Sequence, residues 1–340
     1  MHTAIIQRIM GQFLMLFSFT LLPPILIDLL YQEDAARAFF YSYLLLLTVG
    51  FLLFLPVKNA KSDLRLRDGF VVVVLFWLVL GFAGALPFFL YENMAISIPD
   101  ALFESISGLT TTGATVLVGL DDLPHSILFY RQELQWLGGM GIIVLAVAVM
   151  PMLGIGGMQL YKAEAPGPAK GSKLTPRIAQ TAKALWYIYF GLTVVCALAY
   201  WVAGMSLFDA VAHSFSTVAI GGFSTHDSSI GFFDSRAIES VAAVFMVISG
   251  ANFALHFSAF RNKQLRHYWA DPEFKVYFLI LAGAVVFCCA FLGYSRNTFD
   301  SSIWITGAFE VISIATTTGF SSSGYSEWPN LLPYLLLWLA

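Results

Sequence analysis

The sequence predicts an all-α polytopic membrane protein, and three observations point to that class. Of its 340 residues, 58% are hydrophobic and only 11% are charged, and the mean hydropathy is +0.76. Soluble domains carry about 25% charged residues, and a single core stops growing near about 250–300 residues, so one soluble core does not fit. The other two observations are a series of long apolar runs and a short polar motif that recurs between them.

The apolar runs fall into two length classes. A spanning helix needs about 20 apolar residues, whereas runs of about 10–14 indicate re-entrant or interfacial segments. Full-length runs lie at 5–30, 38–57, 70–91, 134–160, 184–204, 237–260 and 276–294, and one more begins near 328. Short runs, each between two full-length ones, lie at 99–110, 206–218 and 304–315. Pro23 and Pro24 in the first run predict a kinked helix that is retained, unlike a cleaved signal peptide.

The basic residues orient these helices, because cytoplasmic loops carry an excess of Lys and Arg. Loops on one side hold most of the 18 Lys and Arg: Arg8, Lys58, Lys61, Arg65, Arg67, Lys162, Lys170, Lys173, Arg177, Lys183, Arg261, Lys263, Arg266 and Lys275. Loops on the other side hold only Arg37, Arg131, Arg236 and Arg296. We therefore expect a cytoplasmic N-terminus, and short segments that enter from outside and return.

The polar motif occurs three times in register. Its copies, which we call the filter loops, are Thr110-Thr111-Thr112-Gly113, Ala219-Ile220-Gly221-Gly222 and Thr316-Thr317-Thr318-Gly319. Nine residues before the last glycine stand Glu104, His213 and Glu310, and six residues before it stand Ser107, Ser216 and Ser313. Residues three apart lie on one face of a helix, so each loop follows a short helix with a polar face. The repeat predicts a unit of helix, half-helix, filter loop and helix.

The chemistry of such a loop favours a cation. Irregular backbone at membrane depth is tolerated where it is buried in protein or lines a watery cavity, and ring-arranged carbonyl groups can replace the water around an ion. Glycine adopts backbone angles closed to other residues, and the negative C-terminal ends of the half-helices favour positive charge. The predicted ion ligands are the main-chain oxygens of Thr110, Thr111, Thr112, Gly113, Ala219, Ile220, Gly221, Gly222, Thr316, Thr317, Thr318 and Gly319.

The polar residues of the half-helices have two interpretations. Glu104 and Glu310 either create a negative field at the outer mouth or form hydrogen bonds that hold the filter loops. His213 occupies the matching place in the second copy and is no fixed negative charge, so we favour support of the filter, shared with Ser107, Ser216 and Ser313. The outer-loop residues Asp121, Asp122, Asp227 and Asp234 either concentrate cations near the mouth or are solvated loop charges, and we favour the second interpretation.

Several stretches resemble a known family along the whole chain. ESISGLTTTGATVLVGLDDLPHSILFYRQELQWLGGMGIIVLAVAVMP is similar to the first pore unit of the TrkH family, in the Trk/Ktr/HKT superfamily. HSFSTVAIGGFSTHDSSIGFFD and ATTTGFSSSGYSEWP resemble its second and third loops, and MQLYKAEAPGP resembles its linker. The resemblance implies potassium uptake across the bacterial inner membrane through a potassium-channel-like pore with pseudo-fourfold symmetry. It further implies a homodimer regulated by a cytosolic TrkA-like nucleotide-binding ring.

The resemblance also bears on the ion and on the extent of the chain. In plant relatives a serine in place of the first-loop glycine is associated with sodium, so Gly113 favours potassium as substrate and filter ligand. The family has four pore units and three are present here, so we expect a truncated chain or part of a longer protein. The expected organisation is two N-terminal transmembrane helices in 1–68 and pore units in 69–165, 166–265 and 266–340.

Other classes fit less well. A secondary cation symporter, coupled to protons or sodium and with a midplane site, remains the alternative, although loops that all enter from one side favour a pore. The sequence has no GxSxG elbow, Walker loop or GxGxxG motif, and its histidines lack the spacing of a transition-metal site, so we expect no enzyme activity. We expect the lipid bilayer as a partner, and no nucleic acid.

Overall fold

The computed structural model describes residues 2–60, 66–141, 178–325, 328–329 and 331–340, and these residues contain helices and no strands. The helices of the first half are α1 (Thr3–Ser18), α2 (Leu22–Tyr31), α3 (Ala36–Phe54), α4 (Leu66–Leu90), α5 (Ile98–Leu109) and α6 (His125–Gly139). Those of the second half are α7 (Ile178–Val202), α8 (Leu207–Ala219), α9 (Arg236–Ser249), α10 (Phe253–Asn262), α11 (Arg266–Ala270), α12 (Pro272–Arg296), α13 (Ser301–Ala315) and α14 (Leu331–Leu339).

Within the described ranges, 5 segments are long and apolar enough to cross a membrane. They are Thr3–Tyr31, Ala36–Val57, Asp68–Leu90, Lys183–Val202 and Pro272–Arg296. These segments confirm the predicted runs 5–30, 38–57, 70–91, 184–204 and 276–294. In the first of them a 3₁₀ turn at Phe19–Leu21 joins α1 to α2, and the proline pair begins α2, where a missing N–H costs nothing.

Two predicted spans differ from the structure. The predicted run 134–160 begins nine residues after the helix itself, since α6 begins at His125. The part of this run from 142 onward lies outside the described residues, and so do the basic residues between 162 and 177. The run 237–260 is divided between α9 and α10, so the prediction of one continuous helix is wrong.

The break between α9 and α10 has a hydrogen-bonding cause. The hydroxyl of Tyr277 donates to the Val247 carbonyl at 3.1 Å, the acceptor that a continuous helix would offer to the N–H of Ala251. The Ala251 N–H bonds instead to Ile248, at 3.2 Å. A Cβ on Gly250 would stand 2.6 Å from the Tyr277 hydroxyl, so glycine makes room for this contact. A side chain from α12 therefore ends α9.

The described residues form two compact units. The first contains the residues up to Thr110, together with Ala114–Leu117 and those from Asp122 to Trp186. In it, α1 and α3 cross at Gly11 and Gly50, where backbone meets backbone: a Cβ on Gly11 would lie 2.7 Å from the Gly50 carbonyl oxygen. Aromatic edges such as Phe13 against Phe76, with ring centroids 5.0 Å apart, fill the core beside this crossing.

The second unit contains Thr111–Gly113, Val118–Asp121 and Tyr187–Ala340. Its helix α13 packs between α9 and α12. The contact with α9 includes a 3.1 Å hydrogen bond from Thr306 to Glu239, and the contact with α12 brings Gly307 against Cys289. Beside α12 and α14 a small core forms from Cys288, Leu292, Val311, Leu332 and Leu336.

The helices α5, α8 and α13, which precede the filter loops, are half-length. They have 12, 13 and 15 residues, fewer than the roughly 20 needed to cross a bilayer, and they confirm the short helices predicted at 99–110, 206–218 and 304–315. Each begins with a capping side chain: Ser97, Ser206 and Asp300 accept hydrogen bonds from backbone N–H groups of the first turn. Each ends directly in a filter loop.

Candidate functional site

The three filter loops share one backbone conformation. The residue two before the glycine has positive φ in every copy: 54° at Thr111, 54° at Ile220 and 61° at Thr317. The glycines Gly113, Gly222 and Gly319 follow, with φ of 76°, 79° and 82°. Positive φ is a genuine outlier for β-branched residues, and such strain clusters at ligand-binding and switch sites. The repeated strain therefore marks these loops as functional.

The filter loops meet inside the second unit, which contains Thr111–Gly113 and the whole second and third loops. A Cβ on Gly113 would overlap the carbonyl oxygen of Gly221 and lie 3.5 Å from that of Thr318. A Cβ on Gly222 would overlap the Thr318 oxygen and lie 3.3 Å from the carbonyl carbon of Gly319. The first loop thus faces carbonyl groups of the second and third, and the second faces those of the third.

Serine side chains fasten the filter loops to their half-helices. The Ser107 hydroxyl donates to the Ala114 carbonyl at 2.5 Å, and the Ser313 hydroxyl donates to the Phe320 carbonyl at 2.6 Å. In both loops the acceptor is the residue that follows the glycine. Ser216 stands at the same place in α8 and is fully buried. Support of the filter by all three serines stays a prediction.

Glu104, on α5, is buried under the first filter loop. Its carboxylate accepts hydrogen bonds from the Thr115 hydroxyl at 2.9 Å and the Val116 N–H at 3.2 Å, and it pairs with the Arg131 Nε at 2.7 Å. Arg131 is fully buried on α6 and also donates to Thr115, at 3.0 Å. The prediction of Arg131 as an outer-loop charge is wrong, because α6 begins earlier than its apolar run and carries this side chain inward.

Among the described residues, His213 and Glu310 hold the other two filter loops through bonds that involve no arginine. His213 Nδ1 lies 2.9 Å from the Asp209 carbonyl oxygen, and its Nε2 lies 2.9 Å from the Ser224 hydroxyl, two residues after Gly222. Glu310 accepts the N–H groups of Ser322 at 2.7 Å and Ser323 at 2.9 Å. All three side chains thus connect a half-helix to the segment that leaves its filter loop.

Two of the four outer aspartates form a contact between loops. Asp227 accepts the backbone N–H groups of Gly119 at 3.1 Å and Leu120 at 2.9 Å, and Asp121 contacts the His226 ring at 2.5 Å. The interpretation of Asp121 and Asp227 as solvated charges is therefore incomplete. Asp122 and Asp234 are exposed, as expected of loop charges.

Three residues not among the predicted site residues fix where the half-helices and α6 begin, and each has a recognisable sequence pattern. Ser97 and Ser206 each stand three residues before an aspartate, the spacing of a helix-capping pair, and their hydroxyls donate to Asp100 at 2.6 Å and Asp209 at 2.7 Å. The proline Pro124, a frequent residue at helix starts, indicates that α6 begins before its apolar run. That start places Arg131 inside the helix.

The fold and the site together define a class. The chain is a polytopic α-helical membrane protein whose half-helices end in strained glycine loops that gather carbonyl groups, an arrangement typical of ion-transport proteins. The model of the TrkH family, described as cation transport protein, matches residues 35–339.

Individual relatives agree with the family match. The chain is 54% identical over 339 residues to the Trk system potassium uptake proteins TrkH of Salmonella typhimurium and Escherichia coli K12, covering 99% of this chain and 70% of each relative. It is similar to the crystal structure of the potassium transporter TrkH from Vibrio parahaemolyticus, with a TM-score of 0.88 and 50% identity over 100% of this chain and 70% of that one. The chain therefore belongs to the TrkH family of cation transport proteins.

Proposed function

We propose that this chain conducts potassium ions into the bacterial cell through a gated, carbonyl-lined filter. The observation that carries the proposal is the meeting of Gly113, Gly222 and the Thr318–Gly319 peptide, where carbonyl groups of neighbouring loops face one another. Carbonyl oxygens gathered in this way replace the hydration shell of an alkali ion. The ligands in this proposal are the main-chain oxygens of the three filter loops, from Thr110 to Gly113, Ala219 to Gly222 and Thr316 to Gly319.

The direction of the half-helices supports a cation. The helices α5 and α13 end at Leu109 and Ala315, immediately before their filter loops, and α8 ends at Ala219, the first residue of the second filter loop. A helix C-terminus carries about half an elementary negative charge, so three such ends beside the loops stabilise a positive ion. An anion would require the opposite helix end.

The relatives support the identity of the ion. The TrkH proteins of Salmonella typhimurium and Escherichia coli K12, and the 38% identical TrkG of Escherichia coli K12, are potassium uptake proteins of Trk systems. We extend potassium uptake at the inner membrane to this chain. The proposal includes a cytoplasmic N-terminus, a homodimer, a TrkA-like nucleotide-binding ring and the division into N-terminal helices 1–68 and pore units 69–165, 166–265 and 266–340.

The proposal predicts unequal effects of two glycine substitutions. Gly113→Ala places a methyl group against the Gly221 carbonyl, whereas Gly119→Ala, at a similarly positive φ of 71°, meets nothing within 4 Å. In the full-length protein, expressed in cells deprived of their own potassium uptake, we expect Gly113→Ala to lower rubidium uptake roughly tenfold or to admit sodium, since overpacking costs about 1–3 kcal/mol. We expect Gly119→Ala to resemble the wild type.

The control separates strain of the backbone from crowding in the filter. Equal losses in both variants, or no change in either, would contradict the filter assignment. Rubidium uptake into proteoliposomes at a fixed membrane potential provides the second arm. Uptake that needs a proton or sodium gradient under these conditions would favour the symporter instead.

A further inference from the structure

We propose that protonated His226 is a positioning residue that fastens the segment after the first filter loop to the second half-helix, so that potassium passage depends on external acidity. This inference rests on the proposed function, which makes this face the outer mouth of an ion pathway. His226 lies four residues after Gly222 in the chain, outside the second filter loop. Its role follows from the charged groups on either side of its ring.

The imidazole of His226 lies between two carboxylates from different segments. Its Nδ1 is 2.5 Å from Asp121 Oδ1, in the segment that leaves the first filter loop, and its Nε2 is 3.4 Å from Asp209 Oδ1, in the first turn of α8. The ring stacks on Phe232, with centroids 3.5 Å apart and an interplanar angle of 6°, and meets Phe233 edge-on at 5.4 Å. Aromatic packing thus holds the ring between the two carboxylates.

Asp227 completes the junction from the same loop. It accepts the N–H groups of Gly119 and Leu120, while its own N–H donates to Asp121 at 3.4 Å. Two reciprocal contacts therefore hold the segment Val118–Asp121. Asp121 accepts the N–H of Asp227, in the segment after the second filter loop, and Asp227 accepts N–H groups from the segment after the first filter loop. All these residues belong to the second compact unit.

The junction reaches the second filter loop through Ser224. The backbone N–H of His226 donates to the Ser224 hydroxyl oxygen at 3.1 Å, and the Thr225 hydroxyl donates to Asp209 at 2.8 Å. Ser224 lies two residues after Gly222, and its hydroxyl also contacts His213 Nε2. A neutral His213 satisfies this arrangement, with Nδ1–H donating to the Asp209 carbonyl and Nε2 accepting from Ser224. A shift of His226 would thus move the segment that follows the filter.

The charge state of His226 decides whether the junction holds. Its titratable neighbours are Asp121, Asp209, Asp227 and His213. An imidazolium has a donor on each nitrogen and can bond both carboxylates, whereas a neutral ring turns a lone pair toward one of them and leaves the two anions uncompensated.

The expected pKa directions agree with this arrangement. Burial alone would lower the pKa of His226, but its proximity to the Asp209 and Asp121 carboxylates outweighs it and the net pKa is raised. Burial raises the pKa of the Asp209 carboxyl, but the nearby His226 ring and the hydrogen bonds from Ser206 and Thr225 outweigh that and hold its pKa below the usual range. A histidine whose pKa is raised in the folded protein stabilises the fold fully when the pH is below its ordinary pKa of about 6.5. This stabilisation is lost as the pH rises through the raised pKa.

The test is the external-pH profile of rubidium uptake by the full-length protein in proteoliposomes at fixed membrane potential and fixed internal pH. For the wild type we expect a several-fold fall in the uptake rate as external pH rises from about 6 to about 9, across the titration of a raised histidine. His226→Gln should give a low, flat profile, because glutamine cannot carry the charge. His226→Arg should give a flat profile at a higher rate. His125→Gln changes a histidine that pairs with Glu33 in the first unit, and should keep the wild-type profile.

The outcomes separate this inference from the proposed function. A His226→Gln profile with the wild-type midpoint, or a His125→Gln profile that flattens to the same degree, would overturn the role of His226 while leaving potassium uptake intact. A wild-type protein that takes up no rubidium at any pH would instead refute the proposed function. His226→Arg serves as the folding control. If a fixed positive charge at this position restores the uptake rate, the low rate of His226→Gln is not caused by misfolding.

Discussion

At the scale of single residues, one position beneath each filter loop is filled by three different chemistries. Glu104 joins an ion pair, His213 forms a neutral bridge and Glu310 accepts two backbone N–H groups. All three side chains form a hydrogen bond to the segment that leaves the filter loop. A negative charge is not common to them, because His213 is neutral in this arrangement. Sequence spacing predicted the position and favoured support, but the arginine partner of Glu104 depends on where α6 begins, which an apolar run does not show.

These different partners predict different costs for the same substitution. Glu104→Gln leaves Arg131 as a buried charge without its carboxylate, and breaking a buried pair costs about 3–5 kcal/mol. Glu310→Gln keeps a carbonyl oxygen for Ser322 and Ser323, so it should cost far less. We expect a clearly lower melting temperature and lower rubidium uptake for Glu104→Gln than for Glu310→Gln, measured on full-length protein in the same detergent.

The double variant Glu104→Gln/Arg131→Met provides the control for this comparison. Removing both charges should recover part of the stability that Glu104→Gln loses, because no uncompensated charge then remains. Additive losses in the double variant would show that the pair is not coupled.

At the scale of elements, the length of the short apolar runs and the polar residues that follow them located the half-helices well. Their predicted bounds differ from α5, α8 and α13 by three residues or fewer, because the end of each helix coincides with a polar glycine loop. The break between α9 and α10 was not predictable in the same way. It depends on the Tyr277 hydroxyl, which lies on another helix and takes the acceptor of Val247.

The crossing of α1 and α3 predicts a stability change that is independent of the filter. A Cβ on Gly11 would stand 2.7 Å from the Gly50 oxygen and 2.8 Å from the Phe54 nitrogen, both backbone atoms that move only if the helices separate. We expect Gly11→Ala to lower the free energy of unfolding by about 1–3 kcal/mol. The matched control is Gly283→Ala on α12, where nothing lies within 4 Å and the helix gains a better helix former. Thermal unfolding in detergent measures both, and equal melting temperatures would contradict the close crossing.

At the scale of the whole molecule, repetition made the fold readable from the sequence. Three copies of one motif predicted the three half-length helices and the glycine loops that follow them, and family resemblance supplied the ion. The outer junction of His226 with Asp121 and Asp209 escaped this approach, because His226 and Asp121 are far apart in the chain and the histidine does not recur in the other copies. Features shared by repeats are visible in one sequence, whereas contacts between repeats require the fold.

The orientation of the chain gives a prediction that tests the repeat as a whole. Half-helices that enter from outside require the residues after the filter loops to face the exterior and the residues between α10 and α11 to face the cytoplasm. Lys263→Cys and Ser228→Cys put thiols at exposed positions of these two segments, while the native Cys196, Cys288 and Cys289 are buried and should stay unlabelled. In intact cells a membrane-impermeant maleimide should label Ser228→Cys alone, and opened cells should label both. External labelling of Lys263→Cys in intact cells would contradict the predicted topology. The half-helices would then enter from the cytoplasmic side, and their negative ends would point the opposite way across the membrane.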